Sequence, residues 1–332
     1  MMRWKWMILK AVSAASLLAV DAVAQEAAEG AEDDENYRIE TVLITQDKIA
    51  KIGGAAHRID EEELDRQDYS NPEAVVQQVP GVFTRGEDGF GLRPNIGVRG
   101  ANSERSKKLA LMEDGVLFGP APYSAPAAYY FPMMSRMVGV EIFKGPGAVK
   151  YGPNTIAGAL NLVTRAIPHR FAGGFDVSAG SYFGGRAHAH AGTSSDWGGF
   201  LIEGIHQQSD GFKELDGGGN SGFNRQEFMA KWALNNDYAS EVFQRLEVKL
   251  GWSRETSHET YLGLSDADFE ENPFRRYGAS ALDEMNWVRA QVELRHTVDW
   301  GEHLNLETVA YRHDLARSWF KVNGVRRRHR NL

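Results

Sequence analysis

The most restrictive feature of this chain is a two-residue period through its second half. Within 285–298, Val288, Ala290, Val292, Leu294, His296 and Val298 fall on one face, and Arg289, Gln291, Glu293 and Arg295 on the other. Successive side chains of a strand point to opposite faces, so this spacing describes a β-strand with one apolar and one charged face. Residues 245–254 repeat it, with Leu246, Val248, Leu250 and Trp252 opposed by Glu247, Lys249 and Ser253. Phe228, Ala230, Trp232 and Leu234 give a third example. Segments near 171–182, 185–193, 197–209, 222–235, 242–256, 285–299 and 303–320 amount to about seven strands, joined alternately by tight and long connections.

A soluble sandwich and a transmembrane barrel both produce this alternation. Strands above about 10 residues favour the barrel, as does a second face charged enough for a wet lumen. So do the aromatic residues near strand ends: Phe183, Trp197, Phe212, Trp252, Trp287, Trp300 and Trp319. Residues 256–284 would then form an outer loop and Ser194-Ser195-Asp196 a periplasmic turn. Outside the N-terminus no apolar run approaches the roughly 18 residues of a membrane helix. The lack of cysteine removes disulfide frameworks and thiolate sites. A net charge of −8 argues against a nucleic-acid binder.

The N-terminus reads as an export region. Arg3, Lys5 and Lys10 flank the apolar run 11–20, and Ala22-Val23-Ala24 gives a small-x-small cleavage pattern, so 1–24 reads as a signal peptide. Residues 25–36 carry six acids and no base, an arm that repels itself and buries nothing. Within 37–48, Glu40, Thr41, Val42, Leu43, Ile44 and Thr45 make an isolated β-prone run. Such a run either starts the next domain or adds as a strand to a partner's sheet.

Residues 49–168 are mixed. Ile59-Asp60-Glu61-Glu62-Glu63-Leu64 predicts an acidic-capped helix, and Asn71-Pro72-Glu73 starts another that Pro80-Gly81 ends. Short strands are expected at 96–99, 109–112, 138–143 and 159–164, with long Gly/Pro-rich connections at 85–94 and 118–132. The residues thus read as an α+β domain over 49–168, followed over 169–324 by antiparallel strands that favour the start of a transmembrane β-barrel over a sandwich, with an atypical basic tail at 325–332.

These residues resemble the TonB-dependent outer-membrane receptors. Residues 40–45 resemble the TonB box, Val79-Pro80-Gly81-Val82 the early plug motif and Gly97-Val98-Arg99-Gly100 its Arg-Gly signature. Met112-Glu113-Asp114-Gly115-Val116, the run 140–152 and Asn161-Leu162-Val163-Thr164-Arg165-Ala166-Ile167-Pro168 resemble the closing half of the plug. Phe118-Gly119-Pro120-Ala121-Pro122-Tyr123 and the closing Val163-Thr164-Arg165-Ala166-Ile167-Pro168 look most similar to ferric dicitrate receptors. The resemblance implies that 49–168 is a plug domain and that the chain serves energy-coupled uptake of a scarce ferric chelate across the outer membrane of a Gram-negative bacterium. TonB and its inner-membrane motor would be partners at 40–45, and outer-membrane lipid would surround the wall. It places Arg99, Glu141 and Lys144 where the family pins plug to barrel; Lys144 often corresponds to Arg there, and lysine cannot make the bidentate pair. Arg93, Asn95, Tyr123 and Ser124 are the expected ligand contacts, although Glu87 and Asp88 nearby would repel citrate.

No catalytic constellation, cofactor motif or nucleic-acid signature is found, and the reading is not an enzyme. His188 and His190 share a strand face, but no third metal ligand stands at a fixed spacing, and lumen-facing filler is the simpler reading. Asp266-x-Asp268 is too short for a calcium loop. A cobalamin or carbohydrate receptor, a passive porin or adhesin, and an inert fragment, frameshifted product or half of a split receptor remain as alternatives. Barrels of this kind close with about 22 strands.

Overall fold

The computed structural model describes residues 55–119, 127, 129–152 and 155–324, all within one compact unit. The signal peptide, the acidic arm, residues 40–45, Tyr123, Ser124 and the basic tail lie outside the described residues.

Local chemistry starts both helices of the plug. Helix α1 (Glu61–Gln67) begins where the Asp60 carboxylate accepts the Glu63 N–H at 3.0 Å, and its first turn carries Glu61, Glu62 and Glu63 at the positive end of the helix. Helix α2 (Pro72–Gln77) has the Asn71 side chain accepting the Glu73 N–H at 2.8 Å and a proline in its first turn, where no N–H is needed. Val75 and Val76 of α2 enter the plug core.

The plug sheet comprises β1 (Ala55–Ile59), β4 (Leu109–Glu113), β5 (Val116–Leu117), β6 (Met137–Lys144) and β7 (Gly158–Thr164), in the order β1-β6-β7-β4-β5. Strand β4 runs parallel to β7, whereas β6 is antiparallel to both β1 and β7. A separate hairpin, β2 (Val82–Arg85) with β3 (Asn95–Val98), lies beside it. Strands β4 and β7 are buried along their whole length, which explains continuous apolar runs in place of alternation. Gly158 stands at φ +146°, and a Cβ there would lie 2.2 Å from the Phe143 carbonyl oxygen, so only glycine lets β7 approach β6 at this point.

The second half forms one antiparallel sheet. Its strands are β8 (Ala172–Ala179), β9 (Gly185–Ser195), β10 (Gly198–Ser209), β12 (Phe223–Asn235), β13 (Phe243–Ser257), β15 (Glu284–Trp300) and β16 (Leu304–Phe320), each paired to the next. The short β11 (Glu214–Leu215) and β14 (Arg275–Arg276) pair with each other in the long connections, where α3 (Asp266–Glu271) also lies. All seven expected wall strands are present. Among the described residues the outermost strands β8 and β16 do not pair with each other, so the barrel is incomplete.

The burial pattern decides between sandwich and barrel. On β12 the charged Arg225, Glu227 and Lys231 are buried while Phe228, Trp232 and Leu234 are exposed. Strand β13 buries Lys249 and Glu255 and exposes Leu246, Leu250 and Trp252; β15 buries Arg289 and Glu293 and exposes Val288, Val292 and Leu294. A sandwich would bury the other face. Leaving large apolar side chains in water forgoes about 1.5–3 kcal/mol for each one fully exposed, so this outer face calls for an apolar surround.

Trp287 departs from the expected aromatic belt. It is 2% exposed and packs edge-on against Tyr130 at 5.2 Å, inside the plug core together with Met285. Its place in the two-residue register puts it on the lumen face, with Arg289 and Gln291, and the plug supplies its cover.

Candidate functional site

The candidate site is the seam between the plug and the inner face of the wall, where buried ion pairs concentrate. An Asp-Gly pair builds its middle. Asp114 at φ 49° and Gly115 at φ 82° join β4 to β5 with both central residues left-handed, as a tight hairpin turn requires. The turn carries two adjacent carboxylates to the wall. Lys249 of β13 donates to Glu113 and to Asp114, each at 2.6 Å, and Lys231 of β12 lies 3.6 Å from Asp114. Arg295 donates to the Asp114 carbonyl at 2.7 Å. From the plug side Arg136 donates to Glu113 at 2.8 Å and also pairs with Glu227 of β12, which in turn accepts the Met133 N–H at 3.0 Å.

These charges remain ionised despite their burial. Burial pushes the Glu113 carboxyl up, but Arg136 and Lys249 outweigh it and hold the group well below the usual carboxylate range. Asp114 follows the same course through Lys231 and Lys249. The two acids and their cations form one network, so removing one member leaves others desolvated and unpaired.

A second pin lies nearer the rim that bears the long loops. Arg93 pairs with Glu255 of β13 and stands 3.1 Å from Glu259, with Ser257 accepting a further hydrogen bond at 3.2 Å. The Asp88 carboxylate fixes the loop by accepting the N–H groups of Phe90, Leu92 and Arg93.

In this conformation two of the expected ligand contacts, Arg93 and Asn95, are buried and partnered within the protein. Arg93 is 1% exposed, and its guanidinium pairs with Glu255 and Glu259 of the wall side. Asn95 is 0% exposed: its Oδ1 accepts the Arg105 N–H at 2.8 Å, and its amide donates to Glu87 at 3.0 Å. The charge of Arg93 was visible in the sequence. Its acidic partners stand more than a hundred residues away along the chain and were not.

Glu141 and Lys144 lie on β6, with Arg99 near Lys144. Lys144 donates to the Pro80 carbonyl at 2.8 Å; its burial and the nearby Arg99 lower its pKa. Arg58 lies 3.5 Å from Glu141, and Asn161 donates to Glu141 at 2.9 Å. These partners belong to the plug, whereas the wall pairs described above run through Glu113, Asp114, Arg136 and Arg93. Sequence reasoning quoted Glu113-Asp114 only as part of a motif; the Asp-Gly turn signal was the available clue.

Glu73 is buried under the β2–β3 hairpin and accepts the Asn95 N–H at 3.1 Å. Burial pushes it up to about 7; the Asn95 bond opposes the rise, and Asp88 and Glu87 add to it. A carboxyl whose folded value exceeds its unfolded 4.5 holds its proton more tightly when folded, so stability falls as pH rises from 4.5 through about 7. Glu73→Gln is expected to raise the melting temperature at about pH 8 and to leave it unchanged at about pH 4. An equal change at both pH values would show that Glu73 does not titrate in this window.

Above the seam, at the long-loop rim, lies a cationic and aromatic group that sequence reasoning missed. Arg105 donates to the Tyr261 hydroxyl at 3.0 Å and pairs with Glu87 at 2.6 Å. The Lys321 ammonium lies 3.6 Å from the Tyr261 ring centre and 4.0 Å from that of Trp319, and Arg317 lies 3.9 Å from that of Tyr129.

An α+β plug ion-paired to the charged inner face of an open antiparallel wall, with an apolar exterior, defines a plugged barrel of outer-membrane type. Residues 48–159 match the family model of the TonB-dependent Receptor Plug Domain. The chain is 25% identical over 221 residues to the vitamin B12 transporter BtuB of Vibrio vulnificus (strain CMCP6), covering 62% of this chain and 35% of that protein. In fold it is similar to the ferric citrate transporter FecA in its unliganded form, with a TM-score of 0.70, 20% identity, and coverage of 84% of this chain and 42% of that one. The ferric yersiniabactin uptake receptor FyuA of Yersinia pestis gives a TM-score of 0.66 at 15% identity, covering 82% of this chain and 42% of that one. At these identities the two structures speak for the fold alone. Residues 48–159 thus match the plug domain of the TonB-dependent receptors, and seven antiparallel wall strands follow it. Its place is the outer membrane of a Gram-negative bacterium. The chain spans 35% of the curated relative's length and 42% of each of these two structures.

Proposed function

We propose that this chain serves energy-coupled uptake of a scarce ferric chelate, with the plug as a removable stopper and the long-loop rim facing outward. The observation that carries the reading is the ionic seam itself. Charged pairs in a buried interface roughly break even against their hydrated state, so such a seam can open without exposing a large apolar core. A permanently sealed lumen gains more from apolar packing. The role is transport, not catalysis.

Capture at nanomolar concentration corresponds to about 12 kcal/mol, so release on the inner side must be driven. The outer membrane holds no nucleotide supply. Residues 40–45, on an acidic arm, suit pairing as an added strand with TonB, whose inner-membrane motor draws on the proton gradient; pulling there would loosen the plug. Arg99, Glu141 and Lys144 keep their proposed place as a further lock against the wall, and the apolar outer face is proposed to meet outer-membrane lipid.

The cationic and aromatic group at the rim suits an anionic chelate. Arg105→Ala combined with Lys321→Ala is expected to weaken binding of a ferric citrate-type complex by about 10- to 100-fold, since each removes a charge-assisted contact of about 1.5–3 kcal/mol that partial exposure and the Glu87 pair of Arg105 reduce. Unchanged binding would remove this group from the ligand site. Arg93, Asn95, Tyr123 and Ser124 remain proposed contacts, the first two once ligand binding releases them from their present partners. The similarity to a vitamin B12 transporter supports cobalamin as a second reading. Growth on ferric citrate under iron limitation supports the first reading; growth dependent on cobalamin instead supports the second.

A further inference from the structure

The geometry points to a binding site for a borderline divalent transition metal ion, of the zinc type, on the lumen face of β9 and β10, formed by His188, His190 and Glu203. The two histidines stand two residues apart on one face of β9, and Glu203 of β10 lies directly opposite His190 in the strand register. His188 Nε2 is 2.9 Å from Glu203 Oε1, and the three ligand atoms all lie within 4.8 Å of one another.

Two further observations favour a ligand there. Glu203 is 2% exposed, yet its second oxygen, Oε2, has no hydrogen-bond partner among the described residues. A buried carboxylate oxygen without a donor is costly, and an ion would satisfy it. On the other side β8 places Gly174 opposite His190, and a Cβ at Gly174 would lie 2.6 Å from the imidazole Cε1. The glycine thus leaves the space the ring occupies.

The donor set is chemically apt. Two imidazoles and one carboxylate with an open fourth position make a tetrahedral zinc site, with bonds of about 2.0–2.2 Å and hence ligand atoms about 3.3–3.6 Å apart. His188 and Glu203 already stand closer than that, so binding asks for a small outward shift of one and a swing of His190 inward. The surrounding charges permit it. Arg165 Nε lies 3.9 Å from Glu203 and opposes a cation, but Arg165 also donates to Glu61 at 2.8 Å, and Asp65 of α1 faces His188.

The test uses the full chain purified in detergent without a histidine tag, titrated with zinc by calorimetry and with cobalt(II) by visible absorption. One saturable site with the intense bands of tetrahedral cobalt is expected. His190→Gln and Glu203→Gln should each weaken it by at least about tenfold, while His206→Gln leaves it unchanged. His190→Gln, at a half-buried position, decides the matter should Glu203→Gln fail to fold. No saturable binding by the parent, or parent-like binding by His190→Gln, would overturn the assignment.

Discussion

Glu113→Gln is expected to loosen the plug from the wall by about 3–5 kcal/mol, the usual cost of leaving a buried charge without its partner. Lys249 and Arg136 would each lose one of their carboxylates while staying desolvated. The measurements are the denaturant midpoint and the protease resistance of the plug. Lys249→Gln should cost a similar amount, and the double variant far less than the sum, because the second change removes a group the first left unpaired. Strict additivity would show that the two residues act independently and that the seam is not a network.

Acid gives the same interface a sharper test. Glu113 and Asp114 have folded values depressed below 4.5 and 3.8, so their stabilisation is present above those values and is lost only as pH falls through the still lower folded ones. The plug therefore stays locked at about pH 4, where an exposed carboxylate pair would already be half neutralised. Release of the plug between about pH 6 and pH 4 would contradict the ionic lock.

The second large effect concerns residues 40–45. In a receptor whose wall is closed, deleting 41–45 is expected to reduce uptake to background and to leave ligand binding at the cell surface intact. Val42→Pro should act in the same direction, since proline removes a main-chain donor from any added strand. Unchanged uptake would end the docking role. Lost surface binding would move the segment into the ligand site.

Much of the architecture was legible because strand and helix signals are local. The expected 285–299 and 303–320 correspond to Glu284–Trp300 and Leu304–Phe320, and the caps Asp60 and Asn71 start the helices predicted from them. The site was less legible. Arg93 was conspicuous by its charge, but its pairing with Glu255 arises only when β13 folds against the loop. His188 and His190 were conspicuous as a pair, whereas Glu203 joins them only through the register of β9 with β10.

The amino-acid order alone determined the periods, the caps, the Asp-Gly turn and the order of the plug motifs, because each depends on neighbours within a few residues. Tertiary structure decided which face of each strand is covered. Lys231 and Glu227 are buried and Trp232 is exposed because a plug, and not a second sheet, fills the concave side. A two-residue period reports that two faces differ; only the body packed against one of them settles which is inside.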